Sequence, residues 1–97
     1  MDWLEQARNL LESLKRRSRE LEEIKFELNN AGVDELQHLY EEEFKVAMEM
    51  SDIFETLNLT LDRMEQNEDS EFIASRLRTQ AECIIGGFEE YGFKEQI

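Results

Sequence analysis

The sequence has no proline, only four glycines and a single cysteine among its 97 residues. Proline and glycine are the strongest helix breakers, so their scarcity favours long, uninterrupted helices. One cysteine excludes a disulfide framework. No apolar run approaches the roughly 18 residues that a membrane-spanning helix needs, and the first residues lack the pattern of a secretion signal. We therefore expect a cytoplasmic protein that does not bind a membrane.

Basic side chains are also few. The chain has 11 lysines and arginines against 24 aspartates and glutamates, which gives a formal net charge of -13. Most of the excess lies in residues 29–69, where twelve acids accompany two bases, whereas residues 1–28 hold seven acids and six bases. Such a surface repels nucleic-acid phosphates and anionic lipids. The composition therefore disfavours nucleic acid as a partner and favours a basic protein.

Apolar residues recur in steps of four and three along the first thirty positions, which is the pattern of a heptad seam. Arg17 is the one polar member of this seam. Leu4, Leu11 and Phe26 lie beside it, and a widened seam favours packing against more than one neighbour. The pattern predicts a helix over residues 2–30. Its apolar seam consists of Trp3, Ala7, Leu10, Leu14, Leu21, Ile24, Leu28 and Ala31.

A second helix is predicted over residues 35–65. If the heptad register of the first helix continued past Ala31, it would place only polar residues in the core. The helix is therefore expected to break near Asn29, Asn30 and Gly32, which can adopt the left-handed backbone conformation that ends a helix. Asp34 can cap the next helix, with Gln37 completing a capping box. The seam of the second helix is Leu36, Tyr40, Glu43, Ala47, Met50, Phe54, Leu57, Leu61 and Met64, with Phe44, Val46 and Ile53 on its flanks.

A polar stretch at residues 66–70 predicts a short loop before a third helix over residues 71–91, antiparallel to the second. Gly86 and Gly87 together cost about 2 kcal/mol of helix propensity, so a close helix contact or a kink is expected there. Gly92 is predicted to end the helix, and Phe93 to fold back on its last turn. The predicted apolar face is Ile73, Leu77, Ala81, Ile84, Phe88 and Tyr91.

Two local patterns are candidates for chemistry. Glu35 and His38 form a Glu-x-x-His pair, the local unit of di-iron carboxylate bundles. Both fall on the helix face opposite Leu36 and Tyr40, which favours a surface histidine over a metal ligand. Cys83 lies one step from the apolar stripe, which favours a small core or near-core residue over a nucleophile. We therefore expect no metal, no cofactor and no enzymatic activity.

These patterns together predict one all-α domain over residues 1–97. It consists of a helical hairpin plus a long N-terminal helix, which form a coiled coil and four-helix bundle as a homodimer. The predicted seam of the long helix at the interface is Trp3, Leu10, Leu14, Leu21, Ile24 and Leu28. The predicted core of the bundle is Phe54, Leu57, Leu61, Leu77, Ile84 and Phe88.

Three stretches carry motifs of a known family. Residues 11–18 (LESLKRRS) resemble a segment of a long helix that reads Glu-Asn, then an aromatic residue or Leu, then Arg/Lys-Arg-Arg-Thr. Residues 44–62 are similar to a Leu-Leu-Pro-Val-Leu-Asp-Asn-Leu-Glu-Arg-Ala-Leu helix. Residues 84–97, which end in FEEYGFKEQI, look like Leu-Leu-Asp-Val-Leu-Glu-Lys-Phe-Gly-Val-Glu-Glu-Ile, and this stretch is the most specific of the three. In these segments the chain resembles the GrpE-type nucleotide exchange factors.

The resemblance implies a homodimer in which a paired long helix leads into a four-helix bundle, with a DnaK-type chaperone as the protein partner. The chain departs from the family at Met50 and Ser51, where the family has proline, and at residues 29–40, which look like an insertion. The small β domain of the family would begin after Ile97, which leaves exchange activity doubtful. We therefore expect a non-enzymatic, GrpE-like module for dimerisation and protein binding.

A second function is also compatible with the sequence. Glu41, Glu42 and Glu43, with further acids at residues 49, 52 and 55, could imitate the phosphate backbone of a nucleic acid. The alternative prediction is therefore an acidic mimic that inhibits, or an adaptor that binds, a basic protein surface. A solvated helix face is the simpler interpretation of the same charges.

Overall fold

The computed structural model describes residues 2–91 and contains three α-helices followed by a 3-10 turn. Helix α1 spans Trp3–Asn30, α2 spans Val33–Glu65, α3 spans Glu71–Gly86, and the 3-10 turn spans Glu89–Tyr91. No strand occurs among these described residues. The fold is elongated, with extents of 54 × 23 × 16 Å. The predicted all-α class is confirmed.

The connection between α1 and α2 is shorter and more extended than the sequence predicts. Ala31 (φ -81°, ψ 149°) and Gly32 (φ -76°, ψ 165°) are both extended, so the expectation of a left-handed break is wrong. Helix α2 begins at Val33 with Gly32 as its N-cap, and Asp34 lies in the first turn instead of capping it. A carboxylate there still interacts favourably with the positive end of the helix dipole.

The three helices form an up-down-up bundle. Helices α1 and α2 are antiparallel: Arg17 of α1 pairs with Glu49 of α2 at 2.9 Å, and the Arg63 guanidinium lies 4.9 Å from the Trp3 ring near the other end. Helix α3 returns antiparallel to α2, as expected from the short loop. It is also much shorter, with 16 residues against 33.

Arg78 fastens α3 to α2. Its guanidinium donates hydrogen bonds to Asn58 Oδ1 (2.9 Å), Asp62 Oδ1 (2.8 Å) and Glu65 Oε1 (3.0 Å). The side chain is largely covered, with 23% exposed. Asp62 and Glu65 remain exposed to solvent. Charge-assisted hydrogen bonds are nevertheless stronger than neutral ones, so the three bonds favour one register of the α2–α3 pair.

One hydrophobic core runs through all three helices of the single chain. Eight of the twelve residues predicted for the dimer and bundle interface are buried in it: Leu14, Leu21, Ile24, Phe54, Leu57, Leu61, Leu77 and Phe88. The other four are partly buried against the same core: Trp3, Leu10, Leu28 and Ile84. The core also contains Ala74 and Ile85, which the predicted α3 face omitted. The role of these residues between two copies of the chain stays a prediction.

The predicted heptad seam of α2 leaves the core towards the start of the helix. The exposed fraction rises from 0% at Leu61 to 9% at Ala47 and 56% at Tyr40, so the core position of Tyr40 is wrong. An α-helix that does not supercoil turns about 20° per heptad away from a strict seven-residue repeat. Over three heptads this rotates Tyr40 outwards, and Leu39 and Val46 take the buried positions.

The end of α3 also differs from its prediction. The helix ends at Gly86, and Gly87 is its C-cap. The 3-10 turn follows at Glu89–Tyr91. A methyl group added at Gly86 would meet no atom within 4 Å, so close approach of another helix is not the reason for this glycine. The predictions for Gly92 and Phe93 lie outside the described residues.

Candidate functional site

The most distinctive surface of the chain is an apolar stripe near the start of α2. Val33, Tyr40 and Phe44 have exposed fractions of 86%, 56% and 68%. Together with Leu36, Gln37 and Glu41 they line one shallow groove, which we name the tip surface. Large apolar side chains that cluster on a surface are typical of sites that bind other molecules, whereas single ones are not.

The tip surface continues the side of α2 on which α3 packs. Tyr40 lies 18 residues before Asn58, and Phe44 lies 18 residues before Asp62, a spacing of about five helical turns. Asn58 and Asp62 bind Arg78 of α3, so Tyr40 and Phe44 point to the same side of α2. Within residues 2–91, α3 and the 3-10 turn leave both side chains exposed.

The 3-10 turn forms the border of the tip surface. The Tyr91 hydroxyl donates a hydrogen bond to Glu43 Oε2 at 2.6 Å, one residue from Phe44. Lys25 of α1 pairs with Glu90 and lies 5.6 Å from the Phe88 ring centroid. These contacts anchor the turn to both α1 and α2.

Two pKa values respond to these contacts. Burial, reinforced by the hydrogen bond to Glu43, raises the pKa of Tyr91 well above its usual range, which keeps the hydroxyl a proton donor. The hydrogen bond from Lys25 lowers the pKa of the exposed Glu90, so this carboxylate stays charged at neutral pH. The neutral Tyr91 hydroxyl and the charged Glu90 carboxylate are therefore the ionisation states that the contacts of the turn require.

The surroundings of the tip surface are strongly acidic. Residues 20–48 contain nine aspartates and glutamates but only Lys25 and Lys45 as basic residues. Lys25 is already paired with Glu90. Asp34 and Glu41 are exposed on α2, and Glu41 lines the tip surface itself. The result is an apolar surface inside a negative field.

A second open surface lies between α1 and α3, and we name it the α1–α3 groove. One of its lining residues is Phe72, whose exposed fraction is 71%, with the Arg76 guanidinium 5.9 Å from its ring centroid. Unlike the tip surface it carries charges of both signs. Its lining residues are Arg8, Leu11, Glu12, Lys15, Phe72, Ile73, Arg76, Leu77 and Gln80.

The structure separates the residues considered for chemistry. His38 is exposed on α2, with Nε2 2.9 Å from Glu42 Oε1. Among residues 2–91, no group of three or more histidine, cysteine, aspartate or glutamate side chains is placed to hold a metal ion. Cys83 is exposed, so the prediction of a core or near-core position is wrong. It lies about 200° around α3 from the fully buried Ile85.

The acidic cluster of α2 does not form one row. Consecutive helical residues point about 100° apart, so Glu41, Glu42 and Glu43 face different directions. Glu42 contacts His38, and Glu43 accepts a hydrogen bond from Tyr91.

None of the helices in the described residues is long and apolar enough to cross a membrane.

Sequence reasoning missed the tip surface because it assigned Tyr40 to the core and Phe44 to its flank. One pattern could have indicated the surface: Val33, Leu36, Tyr40 and Phe44 recur at helical spacing, and this face of the helix differs from that of Leu39 and Val46.

Comparisons with protein-family models, curated proteins and solved structures found no match. The GrpE-type resemblance therefore stays a prediction.

Proposed function

We propose that this chain is a non-enzymatic helical module that acts by binding another protein. The observation that carries the proposal is the tip surface, where Val33, Tyr40 and Phe44 expose apolar area in one place. Aromatic side chains on a preformed surface contribute large contact areas, and such residues dominate the binding energy of many interfaces. Helix α2 presents all three; it is held by the core from Val46 onwards and has a buried residue at Leu39 within the exposed stretch, so little order has to be gained on binding.

The resemblance to GrpE-type factors supports a DnaK-type chaperone as the partner. In that case the complex releases its chaperone when ATP binds, and moderate salt leaves it intact because apolar contacts carry most of the affinity. The acidic-mimic alternative uses the negative charge instead. Its complex with a basic protein weakens steeply with salt.

A capture experiment tests this function. The wild-type chain and the variants Phe44→Ser and Phe72→Ser are immobilised, exposed to native lysate, and eluted with ATP and then with salt. We expect the wild type and Phe72→Ser to retain a DnaK-type chaperone that ATP elutes. Phe44→Ser loses it, since an aromatic anchor contributes about 2 kcal/mol or more, or roughly 30-fold in affinity.

The matched control is Phe72→Ser, which removes an equally exposed phenylalanine from the other open surface. Equal capture by all three proteins would show that the tip surface is not used. Elution of basic nucleic-acid-binding proteins by salt alone would support the acidic mimic and contradict the chaperone.

We also propose that the chain forms a homodimer, through the α1–α3 groove. The groove carries charges of both signs, which supports self-pairing, because Arg8 or Arg76 of one copy can meet Glu12 of the other across a two-fold axis. Sedimentation equilibrium is expected to give twice the 11.6 kDa of one chain. Phe72→Ser should lower this mass towards the monomer, and Phe44→Ser should not. A monomer at all concentrations of the wild type would refute the dimer.

A further inference from the structure

The tip surface has the shape of a vacant position for a helix. It lies on the side of α2 that α3 covers further along, and α3 itself ends at Gly86. From Phe44 back to Val33 the open stretch of α2 spans about 16 Å, or three helical turns. On α1, Phe26 is also open, with 70% exposed. A helix placed beside this stretch would extend the three-helix packing to the end of the bundle where α1 connects to α2.

The charge around the tip surface selects among possible occupants. Nine acids and two bases in residues 20–48 attract a basic ligand. A second copy would bring the same negative tip against this one, and like charges across an interface oppose binding. The apolar centre requires that the ligand also present an apolar stripe, which in a helix means positions i, i+3 or i+4, and i+7.

We infer that the tip surface binds a basic amphipathic helix, about three turns long, of a partner protein. The apolar side of this helix packs on Val33, Tyr40 and Phe44, and its lysines or arginines face Glu41 and the neighbouring acids. The inference rests on the proposed function and adds to it the shape and charge of the segment that the partner contributes.

Selection from a display library of random helical peptides tests the inference directly. The full wild-type chain serves as bait, and a 15-residue peptide from the selected pool is then titrated while amide signals are followed by NMR. We expect selected peptides to be enriched in lysine and arginine, with apolar residues at helical spacing. We expect the signals of residues 26–44 to shift most.

Three variants resolve the contributions of single side chains. Phe44→Ser should weaken peptide binding at least tenfold. The matched control Leu59→Ser removes an exposed apolar side chain of the same helix outside the tip surface and the α1–α3 groove, and should leave peptide binding unchanged. Glu41→Gln should weaken it several-fold at low salt and reduce its salt dependence, because one favourable charge is removed. Far-UV circular dichroism of each variant checks that the fold is retained.

Five outcomes would overturn the inference. The selected peptides could be acidic or lack helical spacing, or their shifts could map to the α1–α3 groove. The tip signals could shift with the concentration of the chain alone, which would make a second copy the occupant. Finally, binding could occur only in a Phe93→Ser variant, which would make the C-terminal segment of the chain itself the occupant.

The capture experiment keeps the two failures apart. If native capture depends on Phe44 but the selected peptides are not basic helices, the interaction function stands and the inference fails. If native capture is indifferent to Phe44 while the peptides bind at the tip, the proposed function fails instead.

Discussion

Leu57→Asp is expected to abolish the folded state, and with it any folded dimer. Leu57 is 0% exposed in the core where α2 meets the other helices. An aspartate there would bury an unpaired charge or a protonated carboxyl without a partner, besides losing the apolar contacts. The combined cost exceeds the few kcal/mol of stability typical of a small domain. Far-UV circular dichroism at 25 °C should show loss of most helical signal and of the cooperative thermal transition.

Leu59→Asp is the matched control. Leu59 lies two residues away on the same helix but is 59% exposed, so the substitution makes the same change in charge and helix propensity without burial. Its stability should stay within about 0.5 kcal/mol of the wild type. Equal unfolding of both variants would mean that charge or propensity, and not burial at position 57, causes the loss. A native transition in Leu57→Asp would contradict the core assignment.

Phe54→Ala should lower the free energy of unfolding by about 3–5 kcal/mol. The ring is only 1% exposed, and it is among the largest fully buried side chains. Truncation removes its transfer free energy and leaves a cavity between helices that the surrounding residues fill only in part. Urea unfolding followed by circular dichroism measures the change, with an unaltered slope if the compactness of both states is preserved.

The same substitution at Phe44 provides the comparison within one helix. Phe44 is 68% exposed, so Phe44→Ala should change stability by about 0.5 kcal/mol or less. The better helix propensity of alanine offsets part of any loss. Similar losses for the two variants would show that Phe44 belongs to the core, and the tip surface would then not exist as an exposed site.

The predicted stabilities of Phe54→Ala and Phe44→Ala bear on function because they separate the two roles of aromatic residues in α2. Phe54 is needed to build the bundle, whereas Phe44 is free to contact a partner. A variant of Phe44 that loses binding while remaining folded is therefore informative, and a variant of Phe54 is not.

The sequence alone was sufficient to determine the helical class and the number and order of the helices. Helices depend on local periodicity and on the absence of breakers, and both can be read without knowledge of distant contacts. The breaks around residues 31–32 and 66–70 were located for the same reason. The first helix and the end of the second agree with the structure to within one residue. The acidic charge of the middle segment is likewise a property of composition.

Only the tertiary structure decided which apolar residues are buried. A strict heptad places Tyr40 and Leu61 on one seam, but in the structure Tyr40 is exposed and Leu39 is buried instead. This shift has the direction in which an α-helix rotates against a strict seven-residue repeat. The sequence also predicts α3 through residue 91, although its ordered helix stops at Gly86. Within residues 2–91, the 16-residue α3 covers only part of the 33-residue α2, and the tip surface lies beyond the covered part. Such a mismatch in length becomes visible only when the helices are packed together.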